Sequence, residues 1–322
     1  MLEDPILLAD WHVVARVSEV VSGEVRALRL LGRDLVLWRN AEGIQVWQDL
    51  CVHRGAKLSR GTVEHECLVC PYHGWNYDTA GACVRIPAHP EQVPPPRARA
   101  NVCHTRERYG LVWVCLGEPK NDVPAFPEWD DASYRKIHVG PYVFKAHGPR
   151  VVENFLDVGH FPYVHAGYLG DPQRPEIQDY KVESGPDGVI ARDIPVWQPN
   201  PDGSGKPGVV LYTYQALRPL TASFVKDQKG ERYCMIDIVT PIDENESRAW
   251  GILAFNYPID SSDEELRQFQ DTVAGQDVPV VESQRPEMLP LDLQEELHLR
   301  SDRTAIAYRL WLRTLGLTYG VN

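Results

Sequence analysis

No stretch of this chain approaches the ~18 consecutive apolar residues that a membrane-spanning helix requires, so a helical membrane protein is not expected. Basic residues are scarce as well: 33 Lys and Arg stand against 45 Asp and Glu, a net charge of −12. Such a surface offers no cationic face to a phosphate backbone, and nucleic acid is not an expected partner. The opening MLEDPILLADWHVV begins with acids and lacks the basic, apolar, small-residue order of a signal peptide, which predicts a cytoplasmic protein. Neither an internal repeat nor a low-complexity tract is present, which excludes solenoids and repetitive arrays. Cysteines number seven, and an odd set in a reducing compartment points to metal binding or reactivity rather than to a disulfide framework.

What the chain does contain is apolar material for two cores: 322 residues, 43% of them hydrophobic. From Trp11 to Trp113, short β-rich runs (VRALRLL, DLVLW, IQVWQ) alternate with turn signals such as NAEG at 40–43, which predicts an antiparallel β domain. The run PAHPEQVPPPRA, after Ile86, loses a backbone donor at each proline and is predicted to be a surface strap. Beyond GLVWVCLG, the proline- and acid-rich EPKNDVPAFPEWDD marks a crossing, which predicts domains at 1–122 and 123–322. The second half mixes strand-length runs (VVLYTYQAL, YCMIDIVTPI, WGILAFNYPI) with predicted helices over Ser262–Gly275 and Ser301–Leu315. The expected fold class is α+β: an antiparallel β domain, then an α+β domain whose antiparallel sheet is flanked by helices.

Two places concentrate metal-binding residue types. In CVHRG (51–55) and CPYHGW (70–75), each segment supplies one thiolate and one imidazole: Cys51 and His53, then Cys70 and His73. A Rieske [2Fe–2S] centre uses that set, two cysteines on one iron and two histidines on the other. Gly55 and Gly74 permit tight turns that leave backbone amides free to face the cluster. A zinc site on Cys67-Leu-Val-Cys70 is the competing reading, although residues three apart on a strand point to opposite faces. The second place is VVENFLDVGHFPYVHAGYLG (151–170), where His160 and His165 stand five apart. On an unbroken helix they would diverge by about 140°, and Pro162 is expected to break the helix between them. Two histidines and one carboxylate form the facial triad of non-heme Fe(II), with positions left open for dioxygen. Candidates for the carboxylate are Asp292, Glu295, Glu296 and Asp302. Asp302 shares a face with Ala305, Ile306, Arg309 and Leu310, a mostly apolar stripe on which a buried carboxylate needs a cation; the plainer alternative is a carboxylate in a favourable first turn.

CVHRGAKLSRG and CPYHGWNYDTAGACVRIP resemble the Rieske domain of the Rieske non-heme iron oxygenases, and 151–170 resembles that family's Asp-x-x-His-x-x-x-x-His motif. The resemblance covers nearly the whole chain and is to monooxygenase-type α subunits such as the dicamba, vanillate and toluenesulfonate oxygenases. IPAHP, ERYGLVWVCLG, FPEWDD and QRPEMLPLD are similar to stretches of the saxitoxin-biosynthesis hydroxylases. It implies His160, His165 and Asp302 as ligands of a mononuclear Fe(II), and Asp157 as the carboxylate linking one of those histidines to a cluster histidine of a neighbouring subunit. Asn154 corresponds to a residue beside the iron, a helix-surface amide being the alternative, and Glu153 is expected to be helix exterior or support rather than a ligand. A head-to-tail homotrimer is implied, as is a separate NAD(P)H-dependent flavin/iron–sulfur reductase or a ferredoxin. The expected reaction is O₂-dependent hydroxylation or oxidative demethylation of a small organic substrate. The alternatives are a Rieske electron carrier and a ring-hydroxylating dioxygenase α subunit. Trp197, Tyr212, Tyr214, Phe224 and Phe255 are candidates to wall a pocket, or plain core.

Overall fold

The turn at 40–43 forms as its composition predicts. Asn40 pairs opposite Gly43, and the Asn40 side chain accepts the Glu42 amide at 3.0 Å, closing the hairpin between strands Arg33–Asn40 and Gly43–Gln48. The computed structural model describes residues 2–228 and 230–322, and the chain divides after Val123 into two units, Met1–Val123 and Pro124–Asn322.

The first unit is built from three small antiparallel sheets and one short helix, α1 (Pro5–Leu8). Val25–Leu30 completes the hairpin sheet. His12–Arg16, Leu111–Cys115 and His104–Arg108 make a second sheet. Four short strands, Thr62–Glu64, Cys67–Val69, Asn76–Tyr77 and Cys83–Arg85, make the third. The first and third of these sheets share a core that holds Trp38, Trp47, Leu58, Leu68 and Tyr77, with Trp38 and Trp47 meeting edge to face at 5.0 Å. Cys51 and Cys70 belong to that same core, so the two loops that carry them are anchored by aromatic burial. The proline-rich segment 87–98 carries no strand.

In the second unit a seven-stranded antiparallel sheet runs, in chain order, through Arg135–Phe144, Lys181–Gly185, Gly188–Gln198, Gly208–Arg218, Thr221–Gln228, Glu231–Pro241 and Ser247–Phe255. The first of these pairs with the last, and the others follow as a meander. Four helices complete it: α2 (Gly148–Leu156), α3 (Phe161–Val164), α4 (Asp263–Ser283) and α5 (Arg303–Leu315). A capping box of Ser262 and Glu265 starts α4, and Gly316, at φ +77°, ends α5. The sequence places the end of α4 at Gly275; the helix continues two more turns, with Pro279 inside it. Among the described residues no helix is long and apolar enough to cross a membrane.

A buried ion-pair network ties α2 to α5. Arg309, 3% exposed, donates to both oxygens of Glu153 and, at 2.6 Å, to Glu296; Arg150, 2% exposed, also donates to Glu296 at 2.8 Å. Glu153 therefore supports α2 from within. Glu296, one of the candidate metal carboxylates, is instead a half-buried ion-pair partner in a segment that forms no helix. Replacing Arg309 by Met strands the Glu153 carboxylate, and we expect it to cost about 3 kcal/mol in urea unfolding; a loss below about 1 kcal/mol would mean that the network is not cooperative.

Candidate metal centres and substrate pocket

The two Cys/His loops share one backbone device. The Cys51 carbonyl accepts the Gly55 amide at 2.9 Å, and the Cys70 carbonyl accepts the Gly74 amide at 3.0 Å. Both glycines lie in the left-handed region, at φ +71° and +67°, which side chains avoid. Each loop thus curls over its cysteine and projects its histidine. The Cys51 and Cys70 thiols lie within hydrogen-bonding reach of each other, and the Nδ1 atoms of His53 and His73 face one another at 3.1 Å. A thiol pair and an imidazole pair are the donor set of a binuclear centre with two ligands per metal. Tyr77 lies beneath, its hydroxyl 3.1 Å from Cys51 Sγ, while His53 stacks on Trp75 at 4.5 Å. Cys67 is not part of this arrangement. It pairs across the sheet with Glu64, and the charges around it are those of Asp78, Glu66 and Glu42, a poor setting for a second thiolate on zinc.

In the second unit His160, His165 and Asp277 bring one ligand atom each to a common point. The Nε2 atoms of the two histidines are 3.2 Å apart, and Asp277 Oδ1 lies 3.1 Å from His165 Nε2 and 3.5 Å from that of His160. Each imidazole is tied at its other nitrogen to an oxygen acceptor: His160 Nδ1 to Asp157 Oδ2 at 2.9 Å, His165 Nδ1 to Gln276 Oε1 at 2.8 Å. An Nδ1 facing an acceptor carries the proton, which leaves Nε2 as a lone pair. Two lone pairs and a carboxylate oxygen facing each other repel unless a cation lies between them. This donor set fits a divalent metal, and the outer partners fix both tautomers as a metal requires. Burial pushes the Asp157 carboxyl up, but bonds from His160 and from the Gly159 and His160 amides outweigh it and hold the group below its usual range, as an acceptor.

The local chain explains the placement. Helix α2 ends at Leu156, and Asp157 leaves it with extended backbone (ψ 133°). Pro162 does not break a helix between the histidines, as the sequence reading expects; it sits in the first turn of α3, where its missing N–H is no loss. The break lies earlier, over 157–159. Gly170 returns against this loop so closely that a Cβ there would lie 2.6 Å from Pro162 N.

Asp302 is not brought to the histidines. Its carboxylate accepts the Leu299 amide at 2.7 Å and the Ser301 hydroxyl at 2.9 Å, closing the turn before α5. Of the stripe used to select it only Arg309 is buried, the helix turning Thr304, Tyr308, Trp311 and Leu312 inward instead, and the Arg309 charge is met by Glu153 rather than by a metal. Asp292 accepts the Gln294 amide, and Glu295 accepts from Asn322. The carboxylate present at the site, Asp277, was missed because α4 was ended two residues short of it. Its signal was in the sequence: Phe269, Gln270, Val273, Ala274 and Asp277 recur at helical spacing. Asn154 does reach the site, its amide 3.5 Å from Asp277 Oδ1.

Beside these three residues opens a cavity of about 120 Å³, far more than the 10–15 Å³ that a single water needs. Of the five aromatic candidates, Tyr212, Tyr214 and Phe224 line it, together with Phe155, Tyr233 and Phe269. Trp197 and Phe255 do not: Trp197 lies under Arg174 and Phe255 is core. Lys226 and Asp237 are its charged residues besides Asp277 and the histidines.

A β domain with a two-thiol, two-imidazole loop pair, followed by a two-histidine, one-carboxylate pocket, is the layout of a two-centre oxygenase. Residues 10–104 match the Rieske [2Fe-2S] domain, and residues 144–317 match the vanillate O-demethylase oxygenase C-terminal domain. The methylxanthine N1-demethylase NdmA of Pseudomonas putida is 33% identical over 317 residues, 95% of this chain and 88% of that protein. The methylxanthine N3-demethylase NdmB of the same organism is 30% identical over 341 residues, 99% and 92% of the two chains. The solved structure of NdmA with caffeine superposes with a TM-score of 0.82 at 31% identity, over 96% of this chain and 91% of that one. The chain belongs to the Rieske non-heme iron oxygenases, as a monooxygenase-type α subunit. It is an O₂-dependent oxidoreductase with a Rieske cluster and a mononuclear iron, supplied with electrons by a reductase and acting on a small organic substrate.

Asp277→Ala is expected to lower iron from three to two per chain while leaving the visible spectrum of the cluster unchanged, whereas Asp302→Ala keeps all three. Iron analysis on anaerobically purified protein decides; retention of the third iron in the Asp277 variant would discard this ligand set. Gly170→Ala, which must push Phe161 and Pro162 aside, should weaken retention of that iron about tenfold or more in a chelator competition.

Proposed function

We propose that this chain removes an N-methyl group from a small planar heterocycle, and that His160, His165 and Asp277 hold the catalytic iron while Cys51, His53, Cys70 and His73 hold the cluster. The observation that carries the reading is the aromatic-walled cavity opening directly onto the two Nε2 atoms and Asp277 Oδ1. A flat ring fits between stacked aromatics, and a methyl group projecting from it is small enough to reach the metal-facing end. The relatives that cover most of the chain are named as N-demethylases, which favours this outcome over ring hydroxylation.

When bound, the iron supplies the activation of dioxygen. The overall reaction takes one N–CH₃, one O₂, two electrons and two protons to N–CH₂OH and water; the carbinolamine then releases formaldehyde and the N–H product. The protein's share is positioning. Gln276 and Asp157 orient the two imidazoles, and Asn154 offers its amide to Asp277. The aromatic walls keep bulk water from the methyl group.

Asp157 has a second task in this reading. Its side chain stays 34% exposed although it is tied to His160, and the histidine-bearing edge of the first unit is open as well. In a homotrimer the carboxylate of one protomer receives a cluster histidine of the next, giving a hydrogen-bonded path between metals. A cytoplasmic setting accords with seven cysteines that form no disulfide.

The test is reconstitution with an NAD(P)H-dependent reductase and a panel of N-methylated heterocycles, following oxygen uptake and formaldehyde together. One formaldehyde per O₂ is expected; a hydroxylated ring without formaldehyde would replace demethylation with hydroxylation. Asp157→Ala should keep three irons yet cut turnover about a hundredfold or more, with the cluster still reduced by the reductase. Normal turnover in that variant removes the bridge.

A further inference from the structure

One face of the sheet forms the pocket floor, and its residues lie in rungs. Tyr212, Lys226 and Tyr233 are cross-strand neighbours in the first rung; Tyr214, Phe224 and Met235 form the second; Ala216, Ala222, Asp237 and Gly251 form the third. The middle rung is apolar, and each outer rung carries one charge.

Asp237 is 5% exposed, and no described group hydrogen-bonds to its carboxylate. Its rung explains why: Ala216, Ala222 and Gly251 have nothing to donate. The neighbouring donors that line the pocket are committed elsewhere, Tyr142 to Asp271, Asn154 to Asp277 and Gln270 to the Met235 sulfur. Burial, with Asp277 adding to it, pushes the Asp237 carboxyl up to about 7. A buried acceptor without a donor is costly, and a sheet built from Val, Ile and Leu could have dispensed with it. At the other end Lys226 Nζ sits 4.4 Å from the ring centre of Tyr233 and 5.8 Å from that of Tyr212, and donates to Pro201 O at 3.3 Å. An ammonium has three donors, so two remain for a ligand.

We infer that the substrate carries an N–H donor that binds the Asp237 carboxylate and, on its far edge, a carbonyl that binds Lys226. The first and third rungs lie roughly 13 Å apart along the strands, the length of a bicyclic ring plus a hydrogen bond at either end. Asp237 is then a specificity residue, choosing among ring positions by which nitrogen bears hydrogen and which bears methyl. A carboxylate left unpaired by the wrong ring edge penalises that edge strongly.

This inference rests on the cavity being the substrate site, and its test reads binding rather than turnover. On the iron-loaded enzyme, calorimetry compares theophylline, whose N7–H and C2 carbonyl lie on opposite edges, with caffeine, and benzimidazole-5-carbaldehyde with its 1-methyl derivative and with benzimidazole. The N–H probes should bind about tenfold or more tightly than their N-methyl counterparts. Asp237→Leu should level that ratio while retaining three irons and melting no lower than wild type, as removal of an unpaired buried carboxylate requires. Lys226→Met should weaken the carbonyl-bearing probes and leave benzimidazole unchanged. If the leucine variant does not fold, Asp237→Asn takes its place and must cut the ratio at least about threefold. Equal affinities in wild type, a ratio that survives at position 237, or no binding of the donor–acceptor probes at millimolar concentration would each overturn the inference. Failure of the demethylase reading appears separately, as a missing third iron or absent formaldehyde.

Discussion

The catalytic unit is organised around an arrangement that is unfavourable without a cation: two imidazole lone pairs and a carboxylate oxygen held within 3.5 Å of one another. Each element near it can be understood as opposing that repulsion. Asp157 and Gln276 hold the Nδ1 protons so that neither ring can turn its lone pair away. Gly170 lets the chain return against Phe161 and Pro162, between the two histidines, more closely than a side chain would permit. The Arg309–Glu153 pair anchors α2, from whose end the loop departs. Binding energy for the metal is stored as geometry that the fold enforces in advance.

The same logic operates differently in the first unit. There the proposed ligands come from two loops with equal Cys-to-Gly spacing and unequal Cys-to-His spacing, both pinned by cysteines inside an aromatic core. The histidines lie on the outer edge and the thiols beneath, so the imidazole side is open while the sulfur side is buried. Such an arrangement suits a centre that must pass electrons outward without rearranging.

Much of this was legible in the sequence because it is local. CVHRG and CPYHGW carry their own turn chemistry, and 151–170 carries both histidines and Asp157 within a dozen residues. The α+β character follows from composition and periodicity in the same way. What failed was long-range. Asp277 lies more than a hundred residues from His165, and the reading reached only as far as Gly275, where glycine followed by Pro279 resembles a helix stop. The helix passes through because Gly275 is the residue whose carbonyl the proline ring crowds, and open space around Gly275 lets the turn relax. Asp302 attracted the assignment through a stripe of which only Arg309 is buried; the helix turns Thr304, Tyr308, Trp311 and Leu312 inward, and the Arg309 charge is met by Glu153. Sequence periodicity finds an amphipathic stripe; it does not fix which edge of it is buried or which partner neutralises a charge there.

That extra length of α4 has a functional consequence. Phe269, Gln270, Val273 and Ala274 roof the substrate cavity, Gln276 positions His165, and Asp277 faces the metal-binding point, all on one helix. A ligand against the first four residues therefore lies within one helical turn of the carboxylate and of the amide that fixes the His165 tautomer. The sheet beneath supplies the opposite wall, so the substrate is gripped between a floor that reads its edges and a roof that carries part of the metal site. Cavity wall and metal-facing carboxylate thus share one helix, so a substitution on its inner face bears on both.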